Sequence, residues 1–75
     1  MEIKGKLVLI TGASEPLGRA LAIEAARLGA RKLLLVSTRA LVLREVAAEC
    51  RAAAANPEFE VASYFDTASH LTIWL

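Results

Sequence analysis

A single cysteine, Cys50, excludes an internal disulfide and leaves no cysteine-based metal site. Histidine is equally scarce, with His70 alone, so no metal centre is expected. Aromatic residues make up 5% of the chain and the net charge is +1, which supplies neither the basic stripe nor the interleaved rings of a nucleic-acid surface. No apolar run approaches the roughly 20 residues that cross a bilayer. The opening Met1-Glu2-Ile3-Lys4-Gly5-Lys6 also lacks the apolar region of a secretory signal. No membrane partner and a cytoplasmic location are therefore expected. With 75 residues there is room for one domain, 1–75, and no repeat or linker divides it. A hydrophobic content of 56% is high for so short a chain, so some apolar surface should remain for a partner to cover.

What is present is organised around Thr11-Gly12-Ala13-Ser14-Glu15-Pro16-Leu17-Gly18. This stretch follows the apolar run Leu7 to Ile10 and precedes a helical Ala/Leu pattern. A strand thus passes to a helix through small residues. Such a junction suits an anion: the first N–H groups of a helix lack internal partners, its dipole is positive there, and glycine lets a phosphate approach the backbone. Leu17, Leu21, Ala25 and Leu28 recur at helical spacing, leaving Arg19, Glu24 and Arg27 for the solvent side. Pro16 suits the first helical position, and Gly29 the left-handed cap at the end.

Lys32 to Ser37 repeats the buried-strand pattern, after which Leu43, Val46, Ala47, Cys50 and Ala54 mark the inner stripe of a second helix, roughly Ala40 to Ala55, stopped by Asn56-Pro57. Phe59, Val61, Ser63 and Phe65 alternate with Glu58, Glu60, Ala62 and Tyr64, as in a third strand with one better-buried face. Right-handed crossovers make the strands parallel. The expected fold is α/β, a three-layer β-α-β-α-β half Rossmann fold with sheet order 3-2-1. The tail from Thr67 to Leu75 fits a short helix, an added strand or an apolar plug.

The glycine turn resembles the T-G-x-x-x-G-x-G motif of the short-chain dehydrogenase/reductase family, with Pro16 where that family has its middle glycine. The resemblance runs on through Arg19-Ala20-Leu21-Ala22 and Gly29-Ala30 to Arg39 and Asp66. It corresponds to the N-terminal half of the family's Rossmann domain, and Gly29-Ala30-Arg31-Lys32 with Leu33 to Arg39 is similar to the ketoreductase branch. The resemblance implies a dinucleotide cofactor held by Gly12, Ser14, Leu17, Gly18, Ser37, Thr38, Arg39 and Asp66. Ser14 either donates to phosphate or caps the helix that follows. Ser37-Thr38-Arg39 offers hydroxyls and positive charge but no carboxylate, which favours NADP(H) through its 2′-phosphate; alternatively Arg39 is a solvated residue entering a helix. Asp66 matches the residue that contacts adenine, or else it caps its own neighbours. Glu15 and Pro16 both weaken the phosphate site, one by charge and one by removing a donor.

The family's catalytic Ser, its Tyr-x-x-x-Lys pair and its Asn-Asn-Ala-Gly segment have no counterpart in this sequence. Tyr64 is the sole tyrosine, Ala68 stands four residues later, and no lysine follows Lys32. No catalytic residue is therefore expected. Three functional readings follow: an NADP(H)-binding half-domain, a component of an NADP-dependent oxidoreductase completed by another chain, and a structural module without cofactor. In the 3-2-1 order the first strand is an exposed edge, which invites a homodimer or a complementing chain unless residues 71–75 cover it.

Overall fold

The computed structural model describes residues 2–65 and the strand backbone of residues 72–74. Strand β1 (Leu7–Thr11) leads through the glycine turn to helix α1 (Pro16–Arg27), then to strand β2 (Lys32–Ser37), helix α2 (Ala40–Ala53), strand β3 (Glu60–Phe65) and strand β4 (Thr72–Trp74). The sheet order is β3-β2-β1-β4. The first three strands are parallel, with Val8 beside Leu33 and Leu33 beside Val61, as the half Rossmann fold requires.

Of the tail's three options, the added strand is the one adopted. Strand β4 runs antiparallel to β1, with Leu9 opposite Trp74, Ile10 opposite Ile73 and Thr11 opposite Thr72. The first-strand edge is therefore occupied over Leu9 to Thr11 by the chain's own backbone, and the dimer expected from an open edge there loses its basis. Unpaired strand N–H and C=O groups gain partners in this way without a second molecule.

Burial alternates strictly along the central strands. Val8, Ile10, Leu33 and Leu35 are inaccessible and form one cluster with Ala22, Ala25 and Ala26 of α1 and Leu43, Val46, Ala47 and Cys50 of α2. Both helices thus lie side by side on one face, linked at their surface by Arg19, which pairs with Glu49 and, at 3.8 Å, with Glu45. Exposed pairs of this kind contribute little stability, about 0–1 kcal/mol. Among the described residues, two of the three expected layers are present: the sheet and one helical layer. The opposite face carries Leu7, Leu9, Leu34, Val36 and Tyr64, none of them fully buried.

The inner stripe of α1 differs from the leucine pattern. Gly18, Ala22, Ala25 and Ala26 are buried, whereas Leu17 and Leu28 are exposed and Leu21 is half-buried. Small side chains win these positions because the short turn holds the helix close to the strands. Its end is as expected: Gly29 has φ +94° and donates to Ala26 O at 3.1 Å, while Ala30 donates to Ala25 O at 3.1 Å, the paired bonds of a Schellman cap.

Helix α2 buries the expected Leu43, Val46, Ala47 and Cys50 but ends at Ala53, two residues early, with Ala54 extended at its cap. The residue before a proline disfavours helix, and Asn56 instead accepts the Glu58 N–H at its Oδ1, 2.9 Å away. The expected alternation of β3 holds at Phe59 and Val61, which pack on the core, and is lost beyond them. Strand β3 is an outer strand with only α2 against it, so Ser63, Tyr64 and Phe65 are all exposed.

Candidate functional site

The C-terminal ends of β1 and β2 bring together Gly12, Ser14, Leu17, Gly18, Ser37, Thr38 and Arg39. Gly12 has φ +69°, a left-handed conformation that favours glycine. It turns the chain sharply enough for Gly12 O to accept the Glu15 N–H at 3.0 Å. Gly18 then sits directly over that turn: a Cβ there would stand 2.2 Å from Gly12 O, so only glycine allows this approach. Ala13, fully buried, donates its N–H to Val36 O at 3.0 Å and fastens the turn to β2.

Glu15 is the residue preceding the helix, with no side-chain capping bond, and Pro16 takes the first helical position as expected. Capping by Ser14 does not occur. The first helical bond runs from Arg19 N–H to Glu15 O at 2.8 Å. The N–H groups of Leu17 and Gly18 therefore precede the helical ladder, where they and the helix dipole can receive an anion. The exposed Glu15 carboxylate stands at the same terminus and opposes a second negative charge.

The Ser14 and Ser37 hydroxyls are hydrogen-bonded to each other across the two strand ends. Ser37 is buried at 2% exposure and also accepts the Arg39 N–H at 3.0 Å. Arg39 begins α2 in extended conformation, is exposed, and forms no ion pair among the described residues. Thr38, between them, is half-buried. Asp66 lies outside the described residues.

Sequence reasoning did not single out three further residues at this end. Ala13 anchors the turn. Leu41, 76% exposed, and Phe65, 55% exposed and in register with Ser37, add apolar surface beside the polar cluster. Their signal was available only as apolar residues placed where a helix begins or a strand ends, which core periodicity absorbs.

The clearly shifted titratable groups lie elsewhere. Burial pushes the Cys50 thiol up to about 11, with the Glu49 carboxylate adding to the effect, and the Arg27 hydrogen bond holds the Glu24 carboxyl below its ordinary value. Among the described residues no cluster of His, Cys, Asp and Glu could hold a metal ion, and no helix is long and apolar enough to cross a membrane. A concavity of about 510 Å3 lined partly by Lys4, Arg27 and Asn56 opens at the other end, where the strands begin. In open α/β sheets ligands bind beyond the carboxyl ends of the strands, so the glycine-turn end is the better candidate.

No family model matches the chain. It is 40% identical over 72 residues to the 3-ketodihydrosphingosine reductase gsl-3 of Neurospora crassa, a match that covers 93% of this chain and 20% of that protein. Hydroxysteroid 11-beta-dehydrogenase 1-like protein B of Xenopus laevis is 43% identical over 61 residues, covering 81% and 21%. The corresponding 1-like protein of Danio rerio is 41% identical over 59 residues, covering 79% and 20%. The chain thus spans about a fifth of the length of these curated relatives. With the glycine turn and the parallel β-α-β-α-β order, these matches place the chain in the short-chain dehydrogenase/reductase family, as an N-terminal part of its Rossmann domain.

Proposed function

We propose that this chain is an NADP(H)-binding half-domain. The observation that carries the reading is the close seat of Gly18 on the Gly12 turn, in front of which the Leu17 and Gly18 N–H groups meet the end of β2 with its exposed Arg39. Gly12, Ser14, Leu17 and Gly18 would hold the pyrophosphate, Thr38 and Arg39 the 2′-phosphate, with Ser37 beside them and Asp66 toward the adenine. The bound nicotinamide would supply or accept hydride. This chain's own residues would hold the adenosine-phosphate end of the cofactor, and the sequence offers no Tyr-x-x-x-Lys pair to move a proton.

The absence of a carboxylate from Ser37-Thr38-Arg39 is what supports NADP(H) over NAD(H). Calorimetric titration with NADPH, NADP, NADH and adenosine 2′,5′-bisphosphate tests this directly. Binding of the 2′-phosphorylated ligands at least about tenfold tighter is expected from one charge-assisted contact. Equal affinity for NADH and NADPH would sink the assignment.

A second reading, a component of an NADP-dependent oxidoreductase completed by further polypeptide, is favoured by the apolar sheet face at Leu7, Leu9, Leu34 and Val36. Central parallel strands are ordinarily covered on both faces. Completion of this kind would use that face, since β4 already holds part of the β1 edge. A companion polypeptide carrying Tyr-x-x-x-Lys that restores hydride transfer would establish it.

A further inference from the structure

We infer that Ser37 is a positioning residue that sets, through one hydrogen-bond chain, both the Ser14 hydroxyl at the glycine turn and the Arg39 backbone at the start of α2; this rests on the cofactor reading above. Ser37 Oγ accepts the Arg39 N–H at 3.0 Å. Its own proton also needs an acceptor, because the residue is only 2% exposed and a buried donor without a partner is costly. Ser14 Oγ is the side-chain acceptor in contact with it, and no buried side-chain polar atom among the described residues lacks a partner.

Ser37 therefore donates to Ser14, and a hydroxyl that accepts one bond still has its own proton to give. Ser14 is half-buried at the mouth of the turn, so that proton is available to an anionic acceptor such as a phosphate oxygen. The order Arg39 N–H to Ser37 O–H to Ser14 O–H thus ends on the ligand, and each link polarises the next. Ser37 itself, buried and engaged twice, acts through its neighbours and leaves direct contact with the 2′-phosphate to Thr38 and Arg39.

Titration of the parent chain and three variants with NADPH and NADH separates this role from a merely structural one. Ser14→Ala removes the terminal donor and the acceptor of the Ser37 proton but leaves the Arg39 N–H to Ser37 Oγ bond in place, so the chain should melt lower while both cofactors weaken by the same factor, about three- to tenfold. Ser37→Ala releases Arg39 as well, so NADPH should weaken more than NADH and the preference for NADPH should fall at least about threefold. Ser37→Thr keeps the hydroxyl and should hold the parental preference. A residue that only supports the fold would lower the melting temperature and leave that ratio alone. A parental ratio in Ser37→Ala, or the Ser37→Ala ratio in folded Ser37→Thr, would overturn the inference. Should Ser37→Ala not fold, unequal losses for the two cofactors in Ser14→Ala would overturn it. A parent that binds neither cofactor would defeat the cofactor reading and this one together, whereas a parent that prefers NADPH with Ser37→Ala unchanged would defeat the positioning role alone.

Discussion

Replacing Gly18 with alanine sets two effects of known sign against each other. Alanine is the better helix former by roughly 0.8–1.0 kcal/mol in a helix interior, so on propensity the change stabilises α1. Sterically it does the reverse. The new Cβ would stand 2.2 Å from Gly12 O, 3.0 Å from Gly12 C and 3.2 Å from the Cα of Ala13. All three are backbone atoms, so no side chain can rotate aside and the helix start must withdraw from the turn. Withdrawal is resisted because Ala13 is bonded to Val36 O and the residues behind Gly18 on the same stripe, Ala22, Ala25 and Ala26, are buried against the strands.

Overpacking a well-filled site costs about 1–3 kcal/mol, and a contact this short belongs at the upper end. After the propensity gain about 2 kcal/mol of destabilisation remains. In a domain of this length each kcal/mol moves the melting temperature by about 4–8 °C, so a drop of roughly 8–16 °C is expected in thermal unfolding followed by far-UV circular dichroism. Gly5→Ala is the control: its Cβ meets nothing within 4 Å, and only the left-handed φ of +74° opposes it. That strain is worth roughly 1–2 kcal/mol. A Gly18→Ala chain that melts at or above the parent would refute the close seat of the helix on the turn, and with it the geometry on which the proposed phosphate seat rests.

Arg39→Asp should reverse the cofactor preference in titration, since a carboxylate there repels the 2′-phosphate and can bind ribose hydroxyls; retained NADPH preference would remove Arg39 from the site. Glu15→Ser with Pro16→Gly restores the glycine pattern and removes a like charge, so NADPH should bind tighter; no gain in a folded double variant would mean the phosphate is not seated on this helix. Cys50 titrates at about 11 against an ordinary 9.0, raised chiefly by burial. Its folded-state value lies above the unfolded one, so folding favours the neutral thiol, and stability intact below pH 9 is lost as pH rises toward 11. Urea unfolding should show a steeper loss over that range for the parent than for Cys50→Ala, and identical slopes would contradict the buried thiol. Deleting residues 72–75 uncovers the β1 edge from Leu9 to Thr11, so sedimentation equilibrium should show more self-association than in the parent; an unchanged distribution would mean that β4 does not protect that edge.

The elements whose signals are local were legible in the sequence. Leu7–Thr11 and Lys32–Ser37 announce strands by unbroken apolar runs, Pro16 and Gly29 bracket α1 by their backbone preferences, and Leu43, Val46, Ala47 and Cys50 keep helical spacing on α2. Leucine misled in α1 because periodicity weights large side chains, while the tight turn selects Gly18, Ala22, Ala25 and Ala26 for the side facing the sheet. The three-residue β4 carries too short a pattern to show a period, and its place depends on an edge supplied by residues more than 60 positions earlier. The Ser14–Ser37 contact is similarly non-local, spanning 23 positions, and arises only because β1 and β2 end side by side.

The unbroken apolar character of the central strands carries one further physical consequence. Half-covered sheets ordinarily alternate apolar with polar residues, whereas Leu7, Leu9, Leu34 and Val36 place apolar groups on the face that α1 and α2 leave open. One covered face requires only Val8, Ile10, Leu33 and Leu35. The second set of apolar residues is therefore a sequence feature suited to a covering layer beyond the described residues, and it fits a chain that spans about a fifth of its relatives' length. The glycine-turn end does not need that layer for its geometry, because among the described residues the turn, Ser14, Ser37 and Arg39 are held by β1, β2 and the two helices. The proposed cofactor binding and the proposed completion of the fold would thus be separable: polar substitutions at Leu9 or Leu34 should bear on the second, and substitutions at Ser37 or Arg39 on the first.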